Sequence, residues 1–439
     1  MVKVAPPGAA LGAADVAHNF DELKPALSRT EALLESSRCL FCYDAPCTTA
    51  CPTHIDVPSF IKKIQNDNVK GAARVILDAN PMGHSCARAC PVEELCEGAC
   101  VMNLAEHRPI QIGRLQRYAT DAVLEKKWRL FEPGKATGKK VAVIGAGPAG
   151  LSCAQELRRA GHAVVLFEAK AQPGGLNTFG IAQYKLTPAI ALAEAQTILD
   201  LGVELRANVQ VGKDLAFDKL LADFDAIFLG VGLGQTHKLG IPGEENAGVV
   251  DALSFIEQLK TKPYGSVAVP PRVLVIGAGN TAVDAATQAR RLGAHEVAFV
   301  YRRGPDDVSA YDFEIELART DGCSFHFWTA PVSVEGDGRV TGLRVAQTKD
   351  GKAVPGTERV LAADLIITAI GQTKRKDLLT QVPGLKLDEA GRVIVDAEGQ
   401  TSHPKIFAGG DCKNGGKEIV NAAADGKAAA RSIDRALRG

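Results

Sequence analysis

The sequence predicts an α/β protein in which a helical, cysteine-rich N-terminal segment precedes two related units of parallel strands and helices. Eight of the eleven cysteines lie between Cys39 and Cys100, in a stretch with little strand pattern. A buried strand, a glycine-rich turn and a helix follow one another from Lys140, and the same order recurs from Arg272. A chain of 439 residues is long enough for several such cores.

Composition narrows the classes of partner and compartment. The chain has 51 basic and 51 acidic residues, and this balance argues against nucleic acid or an anionic membrane as a partner. No apolar run approaches the roughly 20 residues of a membrane helix. The first 20 residues lack the basic and apolar regions of a signal peptide. We therefore expect a cytoplasmic protein with reduced thiols.

The N-terminal segment is predicted to be mostly helical. Residues 1 to about 28, which include Pro6-Pro7-Gly8, predict an extended arm. Apolar residues at three- and four-residue spacing predict short helices from Val57 to Ile64 and from Ala72 to Leu77. Further helices are predicted from Thr30 onward and from Ile112 to Glu125. The polar stretch from Pro133 to Lys140, with two glycines and three lysines, predicts a linker after this segment.

The clustered cysteines predict iron-sulfur chemistry. The first group is a C-x2-C-x4-C-x3-C-P run, Cys39, Cys42, Cys47 and Cys51-Pro52, and the second is Cys86, Cys90, Cys96 and Cys100. In two-cluster ferredoxins the fourth, proline-flanked cysteine of such a run binds the neighbouring cluster. On this logic Cys39, Cys42 and Cys47 hold one [4Fe-4S] cluster, Cys51 crosses to a second, and the later cysteines complete both.

Other readings of the cysteines compete with this one. Disulfides need an oxidising compartment, for which the N-terminus offers no export signal. Zinc suits paired C-x2-C knuckles, but gaps of two, four and three form a poor knuckle series. Inert buried thiols rarely cluster so densely. Cys153 and Cys323, which lie elsewhere, are expected to be packing residues, and Cys412 is expected beside a flavin.

The first strand–turn–helix unit has the features of a dinucleotide site. The strand Lys140 to Ile144 leads into Gly145-Ala-Gly147-Pro-Ala-Gly150, and a second strand, Ala163 to Phe167, ends at Glu168. The glycines permit a tight turn and close approach to a pyrophosphate at the helix N-terminus, while the acid binds ribose hydroxyls. Because all parts occur in order, the signal is far stronger than a lone GxGxxG.

The second unit repeats this pattern, but different residues follow its second strand, where the ribose of a nucleotide would bind. Gly277-Ala-Gly279-Asn280-Thr281-Ala282 follows the strand from Arg272, and the next strand, Val297 to Val300, ends in Tyr301-Arg302-Arg303. Arginines suit a 2′-phosphate or adenine, whereas Glu168 suits free hydroxyls, so the first unit is predicted to bind FAD and the second a nicotinamide nucleotide. A Gly-Gly-Asp turn ending at Asp411 precedes a helix from about Ile419 to Leu437 and is expected to contact the flavin.

Taken together, these motifs resemble, over nearly the whole chain, the flavin and iron-sulfur subunits shared by glutamate synthase small subunits and the N-terminal half of dihydropyrimidine dehydrogenase. The resemblance rests on Cys39-Leu-Phe-Cys42-Tyr-Asp-Ala-Pro-Cys47-Thr-Thr-Ala-Cys51-Pro52, Cys86-Ala-Arg-Ala-Cys90-Pro91, Cys96-Glu-Gly-Ala-Cys100 and Pro109-Ile-Gln-Ile-Gly-Arg-Leu-Gln116. The gap from Cys90 to Cys96 and the stretch to Gln116 favour the electron-input subunit of bacterial NAD-dependent dihydropyrimidine dehydrogenases.

The resemblance implies ligands for two [4Fe-4S] clusters. One cluster takes Cys39, Cys42, Cys47 and Cys100, and the other takes Cys51, Cys90, Cys96 and, unusually, Gln116. Cys86 is then a bystander. Cysteine counting alone selects Cys86 instead of a glutamine, and we follow the resemblance.

The resemblance also implies the nucleotide-binding residues. The flavin set is Gly145, Gly147, Pro148, Ala149, Glu168, Gly175, Leu176, Lys185, Asp411, Lys417 and Ile419. The nicotinamide set is Gly279, Asn280, Thr281, Arg302, Arg303 and the segment Ala369 to Gly371. NADPH-using relatives carry a further arginine where this chain has Ser309, near Asp306 and Asp307. We therefore expect NADH rather than NADPH.

The implied function is electron input. NADH reduces FAD, and single electrons pass through the two clusters to a second subunit that carries FMN and the pyrimidine site, in a heterotetramer. No side chain is assigned as catalytic, and Asp312 and Glu314 are expected to be solvated. The predicted domains are 1–135 for the clusters, 136–238 with 373–439 for FAD, and 239–372 for the nicotinamide nucleotide. Alternatives are an NADPH-dependent glutamate synthase small subunit and a cluster-bearing redox sensor.

Overall fold

A computed structural model of the protein describes residues 2–3, 11–105 and 108–439. By its internal contacts the chain divides into two units. The smaller unit contains Met1–Leu23, Phe179–Lys185 and Gln235–Thr373, and the larger unit contains Lys24–Thr178, Leu186–Gly234 and Lys374–Gly439. The division of the sequence into three domains stays a prediction.

Helices and strands alternate after a helical beginning. The helices are α1 (Ala13–Asn19), α2 (Arg29–Ser37), α3 (Pro46–Thr49), α4 (Val57–Gln65), α5 (Val69–Ala79), α6 (Gly83–Ala89), α7 (Met102–Ala105), α8 (Ile112–Glu125), α9 (Pro148–Ala160), α10 (Leu176–Phe179), α11 (Pro188–Leu199), α12 (Phe217–Asp223), α13 (Ala252–Thr261), α14 (Asn280–Arg291), α15 (Asp312–Thr320), α16 (Lys376–Leu379), α17 (Asp411–Asn414) and α18 (Ile419–Arg438). The strands are β1 (Lys140–Ile144), β2 (Ala163–Phe167), β3 (Glu204–Arg206), β4 (Ala226–Leu229), β5 (Val249–Asp251), β6 (Arg272–Ile276), β7 (Glu296–Val300), β8 (Ser324–His326), β9 (Thr329–Glu335), β10 (Gly342–Lys349), β11 (Lys352–Ala353), β12 (Arg359–Ala362), β13 (Leu365–Thr368) and β14 (Ile406–Ala408).

The larger unit begins with a helical cluster, α2 to α8. Side-chain caps start these helices: Ser28 and Glu31 form a capping box on α2, and Asp56 accepts a hydrogen bond from the Ser59 amide at the start of α4. The apolar faces of α4, α5 and α8 meet in a core that contains Phe60 and Leu115, both with no exposed surface. The predicted helices of this segment are confirmed, and α8 has the predicted ends.

A five-stranded parallel sheet completes the larger unit. Its order is β14-β4-β1-β2-β3, so β1 lies in the middle. The strands β2 and β3 are added on one side of β1, and β4 and β14 are added on the other side. Because β14 comes from near the C-terminus, this sheet is built from distant parts of the chain. Val141 and Val143 on β1 belong to the same hydrophobic core as the helical cluster. The helix α6, which carries Cys86, contacts α11 and α18 of the same unit.

A buried carboxylate links the helical cluster to the sheet layer. Glu194 on α11 accepts hydrogen bonds at Oε1 from the His84 amide (2.7 Å) and the Ser85 amide (3.1 Å), and Oε2 bonds the Ser85 hydroxyl. These amides are in the first turn of α6, where backbone donors have no partner within the helix. Burial raises the pKa of Glu194 to about 7.

This carboxyl predicts a pH-dependent stability. In the folded protein the pKa of Glu194 is about 7, whereas the ordinary pKa of a glutamate, expected in the unfolded chain, is 4.5. The free energy of unfolding should therefore fall by on the order of 3 kcal/mol as the pH rises through this interval. Glu194→Gln keeps an acceptor for both amides and has no proton to lose. We expect the difference in thermal midpoint between mutant and wild type to increase as the pH rises from 4.5 to about 7. If the midpoints of the two proteins instead depend on pH in the same way, the assignment is contradicted.

The smaller unit contains a second five-stranded parallel sheet, of order β5-β13-β6-β7-β8. An antiparallel sheet of β9 to β12, which the sequence did not predict, packs against one face through a core that includes Leu343 and Val345. The helix α1 also belongs to this unit, so the prediction of an extended arm is wrong for Ala13–Asn19. There Val16 and Phe20 are buried against Tyr184, a contact that stabilises the helix.

No helix in the described ranges combines the length and the apolar character needed to cross a lipid bilayer.

Candidate functional site

The first glycine-rich turn lies at the carboxyl end of β1, where the strand order reverses. Gly145 has φ +98°, and a Cβ there would come within 2.4 Å of the Gly230 carbonyl oxygen. A Cβ on Gly150 would lie 1.9 Å from the Gly145 carbonyl oxygen, so α9 packs against the turn. A Cβ on Gly147 would meet only the Gly175 Cα, at 3.9 Å. The first and third glycines are thus required by the protein, and the second leaves space for a ligand.

Two other predicted flavin residues border this turn. Glu168, directly after β2, accepts hydrogen bonds from the amides of Ala146 (2.9 Å) and Lys170 (2.8 Å), which orient its carboxylate beside the turn. Gly175 has φ +55°, and its Cβ position lies 2.9 Å from the Gly147 Cα. The next residue, Leu176, is exposed at the start of α10. Pro148 and Ala149 form the first turn of α9.

The Gly-Gly-Asp turn lies beside the same edge. A Cβ on Gly410 would come within 2.9 Å of the Ala149 Cβ, so this turn touches the start of α9. Asp411 begins α17; burial raises its pKa, and its carboxylate accepts a hydrogen bond from the Lys417 amide at 3.2 Å. Ile419 then begins α18. Two helix N-termini, of α9 and α18, therefore meet near one sheet edge and suit an anionic pyrophosphate.

Asp425 is a residue of this turn that sequence analysis missed. Its carboxylate accepts hydrogen bonds from the Gly410 amide (3.0 Å) and from Lys413 (2.7 Å), and so holds the turn in place. It lies in the second turn of α18, 15 positions after Gly410. The only signal is a charged side chain within a run of alanines.

Lys185 is assigned to a different unit from the other predicted flavin residues. It belongs to the smaller unit, where its Nζ bonds Asp284 (2.6 Å) and Glu314. The prediction that Glu314 is solvated is wrong, because its side chain is buried in this ion pair, whereas Asp312 is exposed as expected. A role for Lys185 at the flavin stays a prediction.

The second glycine-rich turn reproduces the geometry of the first. Gly277 has φ +120°, and a Cβ there would come within 2.3 Å of the Ala369 carbonyl oxygen. The nearest atom to a Cβ on Gly279 is the Ser309 hydroxyl, at 3.3 Å. Asn280 begins α14 and accepts a hydrogen bond from the Tyr311 amide, and Thr281 is exposed. The prediction that this turn, with the segment after β13, binds a phosphate group stays a prediction.

The two arginines at the end of β7 face solvent. Arg302 and Arg303 are exposed, and no described residue pairs with either guanidinium. Asp307 accepts a hydrogen bond from the Gly304 amide at 3.3 Å, and Asp306 is exposed in the same loop. Both cations are therefore available to a nucleotide, beside carboxylates that oppose a further phosphate.

Four cysteines of the N-terminal segment line one pocket. They are Cys39, Cys42, Cys47 and Cys100, and the rest of the lining is largely apolar, including Val57 and Ile112. In the polypeptide alone, burial and the neighbouring Cys39 raise the pKa of Cys47 to about 11. The structure thus gathers the four residues that were expected to share one cluster.

The remaining cysteines form a second group. A hydrogen bond with Cys86, burial, and the nearby Cys96 and Cys51 raise the pKa of Cys90 well above its ordinary value. Gln116, on α8, is buried and donates from Nε2 to the Gly83 carbonyl oxygen at 2.8 Å. No described residue donates to its Oε1. Both candidates for the eighth ligand, Cys86 and Gln116, are therefore near α6.

The thiols suit a group larger than one ion. Within the described ranges no three His, Cys, Asp or Glu side chains converge closely enough to hold a single metal. Zinc needs all its ligands around one centre, whereas each thiolate of a [4Fe-4S] cluster binds a different iron. Four cysteines around one apolar pocket fit the cluster better than zinc.

Comparison with known proteins agrees with this geometry. The model for pyridine nucleotide-disulphide oxidoreductases matches residues 139–426, about two thirds of the chain. The chain belongs to this family. A second model, dihydropyrimidine dehydrogenase domain II, 4Fe-4S cluster, matches residues 16–128. This pyridine nucleotide-disulphide oxidoreductase is thus an FAD- and NAD(P)-dependent iron-sulfur electron-transfer protein.

Two relatives of this oxidoreductase resemble it along almost the whole chain. The NAD-dependent dihydropyrimidine dehydrogenase subunit PreT of Escherichia coli is 38% identical, over 96% of this chain and 98% of PreT. The glutamate synthase [NADPH] small chain of the same organism is 36% identical, over 94% of this chain and 93% of the glutamate synthase chain. The structure of Mycobacterium tuberculosis FprA in complex with NADPH superposes with a TM-score of 0.57 over 68% of this chain and 85% of FprA, at 21% identity, and shows the fold alone.

Proposed function

We propose that the chain is the electron-input subunit of an NAD-dependent dihydropyrimidine dehydrogenase. In this proposal NADH is oxidised at FAD, and single electrons leave through two [4Fe-4S] clusters to a partner that interconverts uracil or thymine with the 5,6-dihydro forms. The observation that carries it is the joining of both cysteine groups and the first glycine-rich turn within one unit and one hydrophobic core. The PreT relative supports the choice of reaction.

The protein's part is to place the groups and tune them. FAD, when bound, supplies the exchange between paired electrons from NADH and single electrons for the clusters. The amides at the start of α9 and the carboxylate of Glu168 would hold its pyrophosphate and ribose. The apolar lining around Cys39, Cys42, Cys47 and Cys100 would exclude water from a bound cluster and so influence its potential. Cys51, Cys90, Cys96 and Gln116 would hold the second cluster.

The preference for NADH rests on the loop after β7. Ser309, beside Gly279, provides no positive charge for a 2′-phosphate, and Asp306 and Asp307 repel one. We expect Ser309→Arg to raise kcat/KM for NADPH by about tenfold or more, since a charge-assisted hydrogen bond contributes about 1.5–3 kcal/mol. Activity with NADH should change little. Ser309→Gln, of similar length without the charge, is the control, and an equal gain in that variant would contradict the electrostatic explanation.

The proposal includes a second subunit. The relatives that support it are named as a subunit and as a small chain, which implies a partner for each of them. By this likeness we propose a partner that carries FMN and the pyrimidine site, in a cytoplasmic heterotetramer. The alternative partner is the large chain of a glutamate synthase, which the second relative favours to a similar degree.

One experiment separates the two functions. The native complex is purified without oxygen through a tag on this chain and assayed with NADH and NADPH, against uracil and against 2-oxoglutarate with glutamine. NADH-dependent reduction of uracil supports the proposal. NADPH-dependent formation of glutamate supports the alternative, and failure of NADH or NADPH to bleach the bound flavin would contradict both and favour a redox sensor.

A further inference from the structure

Trp328 is an exposed aromatic side chain at the carboxyl edge of the parallel sheet in the smaller unit. It follows the end of β8 by two residues, and 55% of its surface is accessible to solvent. Its amide donates to the Arg303 carbonyl oxygen (3.0 Å), and its own carbonyl accepts from the Thr348 amide (2.8 Å). The backbone of Trp328 is therefore fixed beside the two arginines that end the neighbouring strand.

The backbone conformation of Trp328 and its packing contacts fix the position of the indole. Trp328 has φ +47°, a left-handed conformation that is uncommon for a bulky side chain and costs energy. The indole lies against Gly304, where an added Cβ would come within 2.9 Å of the ring. Phe327 meets it edge-on at 6.2 Å between centroids and stacks in turn on Phe325 at 5.3 Å. The indole thus packs against Gly304 and Phe327, while more than half of the surface of Trp328 stays accessible to solvent.

Single exposed aromatic residues are common and need no function. This one is distinguished by its place in the nucleotide unit. In such units the glycine-rich turn holds the pyrophosphate, and the adenosine half of the dinucleotide extends along the carboxyl edge past the end of the second strand. Here the second strand is β7, which leads to Arg302 and Arg303, and the next strand is β8, which leads to Trp328.

We propose that Trp328 is the surface on which the adenine ring of the nicotinamide dinucleotide stacks. The assignment rests on the proposed binding of that nucleotide in the smaller unit. In this arrangement the indole binds the base, and the guanidinium groups of the two arginines remain free to bind ribose or phosphate oxygens. Stacking of a base on an aromatic ring contributes about 1–3 kcal/mol, which corresponds to roughly fivefold to more than a hundredfold in affinity.

The sequence allows a direct optical test, because the protein has only two tryptophans. The other, Trp128, follows α8 in the larger unit and lies under Lys70 and Lys126. In the flavin-loaded Trp128→Phe protein, Trp328 is the sole tryptophan emitter. We expect 5′-AMP to quench this emission in a saturable way, and nicotinamide mononucleotide, which lacks adenine, to leave it unchanged. Absence of quenching by 5′-AMP would overturn the proposal.

Kinetics supply the second test. In the otherwise wild-type chain, Trp328→Leu should raise the KM for NADH about fivefold to a hundredfold and leave kcat unchanged, because base stacking is the same in the ground and transition states. Reduced nicotinamide mononucleotide should reduce the flavin of wild type and mutant equally well, and Trp328→Phe should retain most of the affinity. Equal losses with both reductants would overturn the proposal.

The two proposals fail in different ways. If NADH reduces the flavin normally while 5′-AMP does not affect Trp328, the adenine lies elsewhere and the proposed function stands. If NADH does not reduce the flavin of the wild-type protein at all, the proposed function itself is wrong.

Discussion

Gly147→Ala is expected to abolish flavin binding while the polypeptide still folds. The conformation at Gly147, φ −78° and ψ −177°, is open to alanine, and a Cβ there would approach the protein no closer than 3.9 Å. The methyl group would instead occupy the space that the pyrophosphate needs beside the α9 amides. Losing two charge-assisted hydrogen bonds, at about 1.5–3 kcal/mol each, lowers FAD affinity by about a hundredfold or more.

The measurement is the flavin content of the purified protein, with the affinity of the apoprotein for added FAD. Gly279→Ala is the matched control, because Gly279 occupies the equivalent place in the second turn. It should retain FAD and raise the KM for NADH. Far-ultraviolet circular dichroism of Gly147→Ala should match wild type. Full retention of FAD in Gly147→Ala, or loss of FAD in Gly279→Ala instead, would reverse the assignment of the two turns.

Cys100→Ser is expected to remove one of two clusters. The pocket that Cys100 shares with Cys39, Cys42 and Cys47 would lose one thiolate. Two cubane clusters imply about eight irons per chain, so the anaerobically prepared mutant should contain about four. Iron and sulfide analysis, together with electron paramagnetic resonance of the reduced protein, measures this loss. Cys153→Ser, at a buried cysteine under the parallel sheet, is the control and should retain all iron.

The same analysis decides the eighth ligand. On our assignment Cys86→Ser retains about eight irons, whereas Gln116→Ala loses or alters the second cluster and changes its resonance. The geometry makes this a sharp comparison, because Cys86 hydrogen-bonds to Cys90 while the Oε1 of Gln116 receives no hydrogen bond from the described residues. Loss of a cluster in Cys86→Ser with Gln116→Ala intact would make Cys86 the ligand.

Regular periodicity made much of the architecture predictable. The strands β1 and β2 and the helix α8 have the predicted ends, because buried parallel strands and amphipathic helices leave continuous patterns in the sequence. The glycine-rich turns were also predictable from the sequence, since the local backbone geometry requires glycine at positions 145 and 277. The antiparallel strands β9 to β12 were missed, because burial does not alternate regularly along them.

Three buried or part-buried carboxylates were mispredicted or not identified from the sequence, because their partners lie on other elements of the fold. Glu314 was expected in solvent, yet it is buried because Lys185, 129 positions away, neutralises it. Asp425 holds the Gly-Gly-Asp turn, and Glu194 holds the start of α6 from 110 positions away. A polar side chain in a helix carries no local mark of such a contact.

By itself the sequence determined the fold class, the cysteine-rich segment and the two glycine-rich turns, because spacing along the chain and local backbone sterics specify them. Tertiary structure alone decided which cysteines share a pocket, which carboxylates are buried and that Trp328 stands beside Arg302 and Arg303. The physical reason is that burial and electrostatics depend on neighbours in space, and sheet order, not sequence distance, sets those neighbours.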